Sequence, residues 1–295
     1  MRHRWKDIAF DTVNTCALIC LMIVTLYPFL HVLAYSLNDA VDSMRGDLTF
    51  FPRKFTLSNY AVIFRYDALV DAAVMSVLRT VIGTVTSVLC TAMLAYALTK
   101  RDLVGYKFWN TLFILTMFVS GGLIPTFILF KAIHIYNTFW VYILPGLISA
   151  FHMILIRTNF KTIPDSLIES AYIDGANDLY VFFRIMLPLS TPVMATIGLF
   201  VAVGQWNSWQ DTLFFTIGND LQTLQYVLMK ILNQTEAGAM INQMKASMAR
   251  RGMIRVTPEA VKMAITMVAT VPILCVYPFV QKYFVKGMLL GSIKG

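Results

Sequence analysis

RTNFKTIPDSLIESAYIDGANDLYVFFR, residues 157–184, is a polar island between two long apolar runs, 138–156 and 185–210. Pro164 can begin a helix, and Asp165 in the first turn suits the positive end of the helix macrodipole. The helix then reaches Asp174, about eleven residues and roughly 16 Å. Leu167, Ile168, Ala171 and Tyr172 fall at i, i+1, i+4 and i+5 and make one apolar stripe, with Ser166, Ser170 and Asp174 off it and Glu169 at its edge. A helix this short is not stable alone in water, so it needs something to dock against. Ala171 keeps its surface low. Gly175 is the natural stop, because the left-handed turn that ends a helix is easiest for Gly. Asn177 or Asp178 can cap the next helical stretch, which reaches Leu187 and Pro188 and turns into the apolar run. The pattern predicts a rigid elbow joining a docking knob to a membrane helix. The plain alternative is an ordinary loop lying on a membrane, with Glu169 a solvated charge.

The flanking runs decide the fold class. Six stretches, 12–35, 80–99, 108–130, 138–156, 185–210 and 263–281, contain no Asp, Glu, Lys or Arg. Each is about the 20 helical residues that a hydrocarbon layer of roughly 30 Å requires. Hydrophobic residues make up 58% of the chain, charged ones 14%, and mean hydropathy is +0.66. A soluble domain carries about 25% charged residues. The expectation is an all-α polytopic membrane protein with six transmembrane helices, one transmembrane domain over 1–295, and a cytoplasmic loop at 157–184. Arg79 stands at the mouth of the second run, where it can snorkel to the interface.

Arg2, Arg4 and Lys6 ahead of the first run imitate a signal peptide, but that run exceeds a signal core of about 7–15 residues and reads as an uncleaved span. The compact basic clusters at Lys100, Arg101 and Lys107, at Arg157, Lys161 and Arg184, and at Lys282, Lys286 and Lys294 share one side with the N-terminus. The positive-inside rule makes that side cytoplasmic, with both termini on it. The net charge of +8 is scattered around the apolar runs, which argues for membrane flanks and against nucleic acid. Gly121, Gly122, Pro125, Pro145, Pro188, Pro192, Pro272 and Pro278 interrupt the runs. They are either tolerated breaks or kinks that shape a pathway. Outside, 224–249 suits a helix, and Thr257, Pro258 and Glu259 read as the cap and first turn of the sixth span.

Chemistry is sparse. Cys16, Cys20, Cys90 and Cys275 all lie in apolar runs and read as small packed residues, with no zinc spacing. His31, His134 and His152 make no metal pair. The runs lack the ionisable groups that mark ion-coupled pumps. No G-x-x-x-x-G-K-[ST] loop is present, so the chain should not bind ATP that way, and no catalytic constellation can be assembled. It reads as no enzyme and as holding no cofactor or metal. Trp206, Asn207, Trp209 and Gln210 combine aromatic faces with amides suited to sugar rings, although Trp also collects at membrane interfaces.

Glu169-Ser170-Ala171, Gly175 and Ile185-Met186-Leu187-Pro188 resemble the EAA signature of ABC importer permeases, with Ser170 in place of the usual second Ala. Gln205-Trp206-Asn207 is similar to the W-N element of the carbohydrate-type branch. The stretch 281–287, continuing to Gly295, resembles the C-terminus of the maltose-permease-like second subunit. Phe51-Pro52 with Phe55-Thr56-Leu57-Ser58-Asn59-Tyr60 resembles the first external loop of the oligosaccharide and polysaccharide subgroup. The resemblance implies the type I importer fold in a bacterial cell (inner) membrane. It implies a coupling helix carrying Glu169, Ser170, Ala171, Tyr172, Asp174, Gly175, Leu187 and Pro188. The implied partners are ABC ATPase subunits that use ATP and Mg, a second permease subunit in a heterodimer, an extracytoplasmic solute-binding protein and the lipid bilayer, with carbohydrate as cargo. Two alternatives stay open: a permease for another solute class such as peptides, and a membrane-embedded redox subunit.

Overall fold

The computed structural model describes residues 2–46, 48, 50–64, 67–233 and 257–292. Among the described residues the fold is all-α, with one isolated antiparallel bridge, Asn38 to Phe55. The chain forms two compact units, Met1–Val70 with Leu228–Val271 and Asp71–Val227 with Pro272–Gly295.

The first unit opens with α1 (Arg2–Ser36), whose residues 7–29 are exposed all round. After it, α2 (Ala40–Ser43) and α3 (Ser58–Phe64) bracket a loop organised by two buried amides. Asn59 donates to the Ser36 and Asn38 carbonyls, both at 2.9 Å. Asn38 accepts from the Lys54 N–H at 2.7 Å and donates to Ser43 Oγ and Asp42. Arg53 closes the loop with an ion pair to Asp42 at 2.9 Å. The unit also takes in the start of α14 (Pro258–Ser292). Thr257 Oγ1 caps that helix by accepting from the Ala260 N–H at 3.3 Å. The helix expected over 224–249 is described only as α13 (Leu224–Leu232). Residues 234–256 lie outside the described residues.

In the second unit the expected runs are continuous in hydrophobicity but not in helix. α4 (Asp67–Ala97) begins well before the expected 80, because Arg79 does not end it. The third run is divided into α5 (Tyr106–Leu115) and α6 (Leu123–Ala132). Gly122, at φ 80°, turns the chain between them. The fourth is a 3-10 turn, Phe139–Tyr142, followed after Pro145 and Gly146 by α7 (Ala150–Phe160). Ser87 of α4 donates to the Gly146 carbonyl at 2.8 Å, so a neighbouring helix satisfies the backbone freed at the break. The island holds α8 (Asp165–Ile173) and α9 (Asp178–Val181), and a π turn at Phe182–Met186 joins α9 to α10 (Leu187–Leu189) at the start of the expected fifth run. Then come α11 (Thr191–Asn207) and α12 (Gln210–Phe215).

Three helical stretches, Asp7–Ser36, Ala68–Ala97 and Glu259–Val276, are long and apolar enough to cross a membrane. The pair Asp178–Leu189 and Thr191–Asn207 qualifies together but is bent by 83°. The expected fifth run is therefore cut at Ser190, and Leu187 and Pro188 belong to the island's arm. Cys16, Cys20 and Cys275 are exposed rather than packed, and Cys90 is partly buried.

Candidate functional site

The elbow is built around one apolar cluster. Tyr96 of α4 and Leu98 just past its end, Met153, Ile156 and Phe160 of α7, and Val181, Phe182 and Met186 of the arm are all buried in it. From α8, Ile168 and Ala171 pack against this cluster. The expected stripe is thus divided: Ile168 and Ala171 face their own protein, and Leu167 and Tyr172 remain exposed. The low surface at Ala171 serves close packing inside the chain. The apolar groups left exposed are instead Leu167 and Ile173, the latter 86% exposed, and along the arm Leu179, Tyr180 and Phe183. Exposed apolar groups gathered on one element mark an interaction surface. Glu169, Ser170 and Asp174 are exposed on the same helix.

The turn is set by Gly175 at φ +83°. Its N–H bonds the Tyr172 carbonyl at 3.0 Å, and the Ala176 N–H bonds the Ala171 carbonyl at 2.9 Å. These are the two bonds of a Schellman stop. Pro164 precedes the helix at its cap position instead of opening it. Asn177 caps the arm by accepting the Tyr180 N–H at 2.8 Å. Between α8 and the arm lies a cleft of about 840 Å³ lined by Leu167, Ala171, Gly175, Tyr180, Arg184 and Pro188.

Further on, Pro188 cannot donate to the backbone, and its ring crowds the carbonyl four residues back. The π turn relieves this, with the Leu187 N–H reaching the Phe182 carbonyl. Pro192 likewise leaves the Pro188 carbonyl without its helical donor. Thr191 Oγ1 supplies one at 2.7 Å, and the bend at Ser190 results.

Sequence reasoning missed a polar clamp beneath this elbow. Asp178 Oδ1 accepts from Tyr172 at 2.5 Å, from Tyr96 at 3.3 Å, and from Lys100 in an ion pair. The Lys100 ammonium lies 5.2 Å from the Tyr96 ring centroid and 5.8 Å from that of Tyr172. Burial opposes the charge of Lys100, but its bonds to Asp178 and Tyr172 hold its pKa above the ordinary 10.5. The Lys100 and Tyr172 bonds hold Asp178 below 3.8. A depressed acid contributes stability above its unfolded value, and a raised base below its own. The pair therefore holds at every pH between 3.8 and 10.5. It fails as pH falls through the lowered Asp178 value or rises through the raised Lys100 value. The only signals in the sequence were a Lys closing the second run and an acid four residues past Asp174.

The four residues singled out for sugar contact lie at the junction of α11 and α12. Trp206 lines an apolar cavity of about 160 Å³ with Val77, Val81, Leu199, Pro272 and Ile273. Asn207 and Gln210 are exposed, and Trp209 precedes α12 as its cap residue. The polar convergence is one residue earlier. Gln205 accepts from Arg79 Nε at 2.8 Å, and Arg79 also donates to the Ser208 carbonyl at 3.1 Å and pairs with Asp211. The Arg79 guanidinium carbon lies 4.5 Å from the centroid of the Tyr142 ring. Arg79 is only 2% exposed, so it does not snorkel to an interface as expected. Among the described residues no group of His, Cys, Asp or Glu could hold a metal ion.

Comparison with known proteins agrees with this architecture. The family described as "Binding-protein-dependent transport system inner membrane component" matches residues 60–290. The chain is 39% identical over 291 residues to the polygalacturonan/rhamnogalacturonan transport system permease protein YtcP of Bacillus subtilis, covering 98% of this chain and 100% of that one. It is 37% identical over 287 residues to Protein LplC of the same organism, covering 97% and 95%. A solved chain from a bacterial ABC transporter that imports the acidic polysaccharide alginate superposes with a TM-score of 0.82 at 28% identity, covering 95% of this chain and 98% of that one.

Proposed function

We infer the function of this chain from the family it belongs to, that of the binding-protein-dependent transport system inner membrane components. It is a membrane-embedded permease subunit of an ABC importer and not an enzyme. The proposed cargo is oligosaccharide or polysaccharide fragments, with uronic-acid polymers the favoured class. The observation that carries this is the 39% identity, end to end, with a polygalacturonan/rhamnogalacturonan permease. The proposed partners are two ATPase subunits that bind ATP and Mg, a second permease and an extracytoplasmic solute-binding protein. Six crossings and cytoplasmic termini complete the reading, the divided third and fourth runs each counting as one crossing.

The proposed mechanism starts at α8. Leu167, Ile173, Leu179 and Tyr180 dock on the ATPase, because they are among the apolar groups of the elbow that their own chain leaves uncovered. ATP drives the cycle only by favouring one membrane conformation over the other. Movement of α8 passes through the Gly175 turn into the arm and, past the bend at Ser190, into α11. The clamp adds a second route: Tyr172 and Asp178 grip Tyr96 and Lys100, so α4 moves with α8.

Asp178→Ala tests the second route. Asp178 is more than half exposed, so losing its ion pair costs stability no more than about 1 kcal/mol. Uptake per ATP hydrolysed is expected to fall several-fold with membrane insertion intact. Unchanged coupling in reconstituted vesicles would remove α4 from the pathway. The function itself is tested by purifying the tagged chain from its native membrane and assaying uptake of labelled oligogalacturonide. Co-purification of an ATPase and a second permease, with uptake suppressed by unlabelled uronate oligomer and not by peptide, is the expected result. Competition by peptide instead would move the chain to another solute class.

A further inference from the structure

The loop after α1 does not stay at the end of that helix. The Phe50 ring packs edge-on against Tyr27, with centroids 5.2 Å apart. Tyr27 contacts His31 at 5.8 Å, and His31 contacts Tyr35 at 4.9 Å, so one face of α1 carries an aromatic ladder at i, i+4 and i+8. Tyr27 lies nine residues before Ser36, which places Phe50 roughly 13 Å back along the helix axis from its end.

Charge fixes how α1 crosses the bilayer. Asp7 and Asp11 keep the hydrocarbon layer from beginning before residue 12, and a crossing of about 20 residues then extends to about residue 31. Tyr27 falls about four residues, or roughly 6 Å, inside that boundary. Phe50, packed on Tyr27, therefore lies just inside the acyl-chain region, within reach of the headgroups. The loop is held there. The Asn38–Phe55 bridge ties it to the helix end, Leu48 is buried within it, and Asp42 neutralises Arg53.

Around Phe50 the loop presents apolar groups that the chain does not cover. Phe51 is 82% exposed and Met44 74%, and both are flanked by exposed basic residues, Arg45 and Lys54. Aromatic side chains at this depth with basic groups that can reach headgroups are what a membrane interface selects. We propose that Met44, Phe50 and Phe51 form an interfacial lipid anchor, which seats the loop in the leaflet reached by the C-terminal end of α1. Lipid is favoured over a protein occupant by depth, since Phe50 rests on the membrane-crossing part of α1.

The test uses the assembled transporter in lipid nanodiscs, with Cys16, Cys20, Cys90 and Cys275 replaced by Ser and a nitroxide placed on Phe51→Cys or Lys54→Cys. Power-saturation measurements with oxygen and with Ni-EDDA report depth. At Phe51 oxygen accessibility is expected to exceed nickel accessibility several-fold, and at Lys54 the order is expected to reverse. Nickel-accessible Phe51 would overturn the proposal. So would protection from both reagents, whether constant or produced only by adding the binding protein, because either places a protein on this face. Should the labelled chain fail to assemble, quenching of Phe51→Trp by brominated lipid against aqueous iodide decides the same question.

Discussion

Replacing Asp211 with Leu is expected to destabilise the protein by about 3–5 kcal/mol, and replacing Arg79 with Leu by clearly less. The asymmetry follows from burial. The Arg79 side chain is 3% exposed and that of Asp211 34%. Without Asp211 a guanidinium is left inside the fold with, among the described residues, the Gln205 and Ser208 oxygens and the Tyr142 ring to balance it. Without Arg79 the carboxylate is already a third open and retains the Ser208 hydroxyl at 2.7 Å. The double replacement Arg79→Leu/Asp211→Leu is expected to recover much of the loss, since removing both charges removes the desolvation cost as well. Thermal unfolding of the purified assembly in nanodiscs checks the order. Equal losses, or a double variant as weak as the sum of the singles, would mean that the pair is not what holds this region. A milder probe is Gly83→Ala. Its methyl would stand 2.8 Å from Gln205 Nε2 and 2.9 Å from Cδ. Gln205 is tied to Arg79 and, at 3.3 Å, to the Tyr142 carbonyl, so it cannot move aside without releasing one of them.

That node shows where sequence reading stopped. The apolar runs were legible because hydrocarbon imposes a length and forbids charge, and both constraints act residue by residue. Arg79 was placed at an interface because a charge beside an apolar run has two outcomes, solvation or pairing, and only the fold chooses between them. The partner, Asp211, stands 132 positions away just past another run. The elbow was legible for the opposite reason: Gly175, Asn177 and the short stripe act over one or two turns. The stripe's allocation was not legible. Ile168 and Ala171 turn inward only because Tyr96, Phe160 and Phe182 arrive from other helices, and Ile173, off the stripe, becomes the most exposed apolar group of α8. The breaks at Gly122 and Pro145 were visible as residues. Whether they bend or divide a helix depends on neighbours such as Ser87, which satisfies the Gly146 carbonyl.

Substitutions at Gly175 are expected to lower transport in the order Asn, Ala, Val, with Asn nearest to the parent and Val near background. At φ +83°, an added Cβ meets nothing within 4 Å. Crowding is therefore absent, and the whole effect comes from the backbone. Left-handed geometry costs an ordinary residue about 1–2 kcal/mol. Asn, whose short amide tolerates that region, loses least, and a β-branched residue loses most. The chain can escape the strain only by rotating out of the turn. That breaks the Gly175–Tyr172 and Ala176–Ala171 bonds and redirects α8 relative to the arm. The clamp resists part of this rotation, because Tyr172 and Asp178 lie on opposite sides of the turn and bond each other. Combining Gly175→Ala with Asp178→Ala should therefore cost more uptake than the two single losses together, since each removes what restrains the other. Uptake in reconstituted vesicles, normalised to inserted protein and read beside ATP hydrolysis, separates coupling from folding. Hydrolysis that continues while uptake falls places the defect in transmission. If Val transports as well as Gly, the turn is not the mechanical link, and the route through Tyr96 and Lys100 into α4 must carry the motion alone.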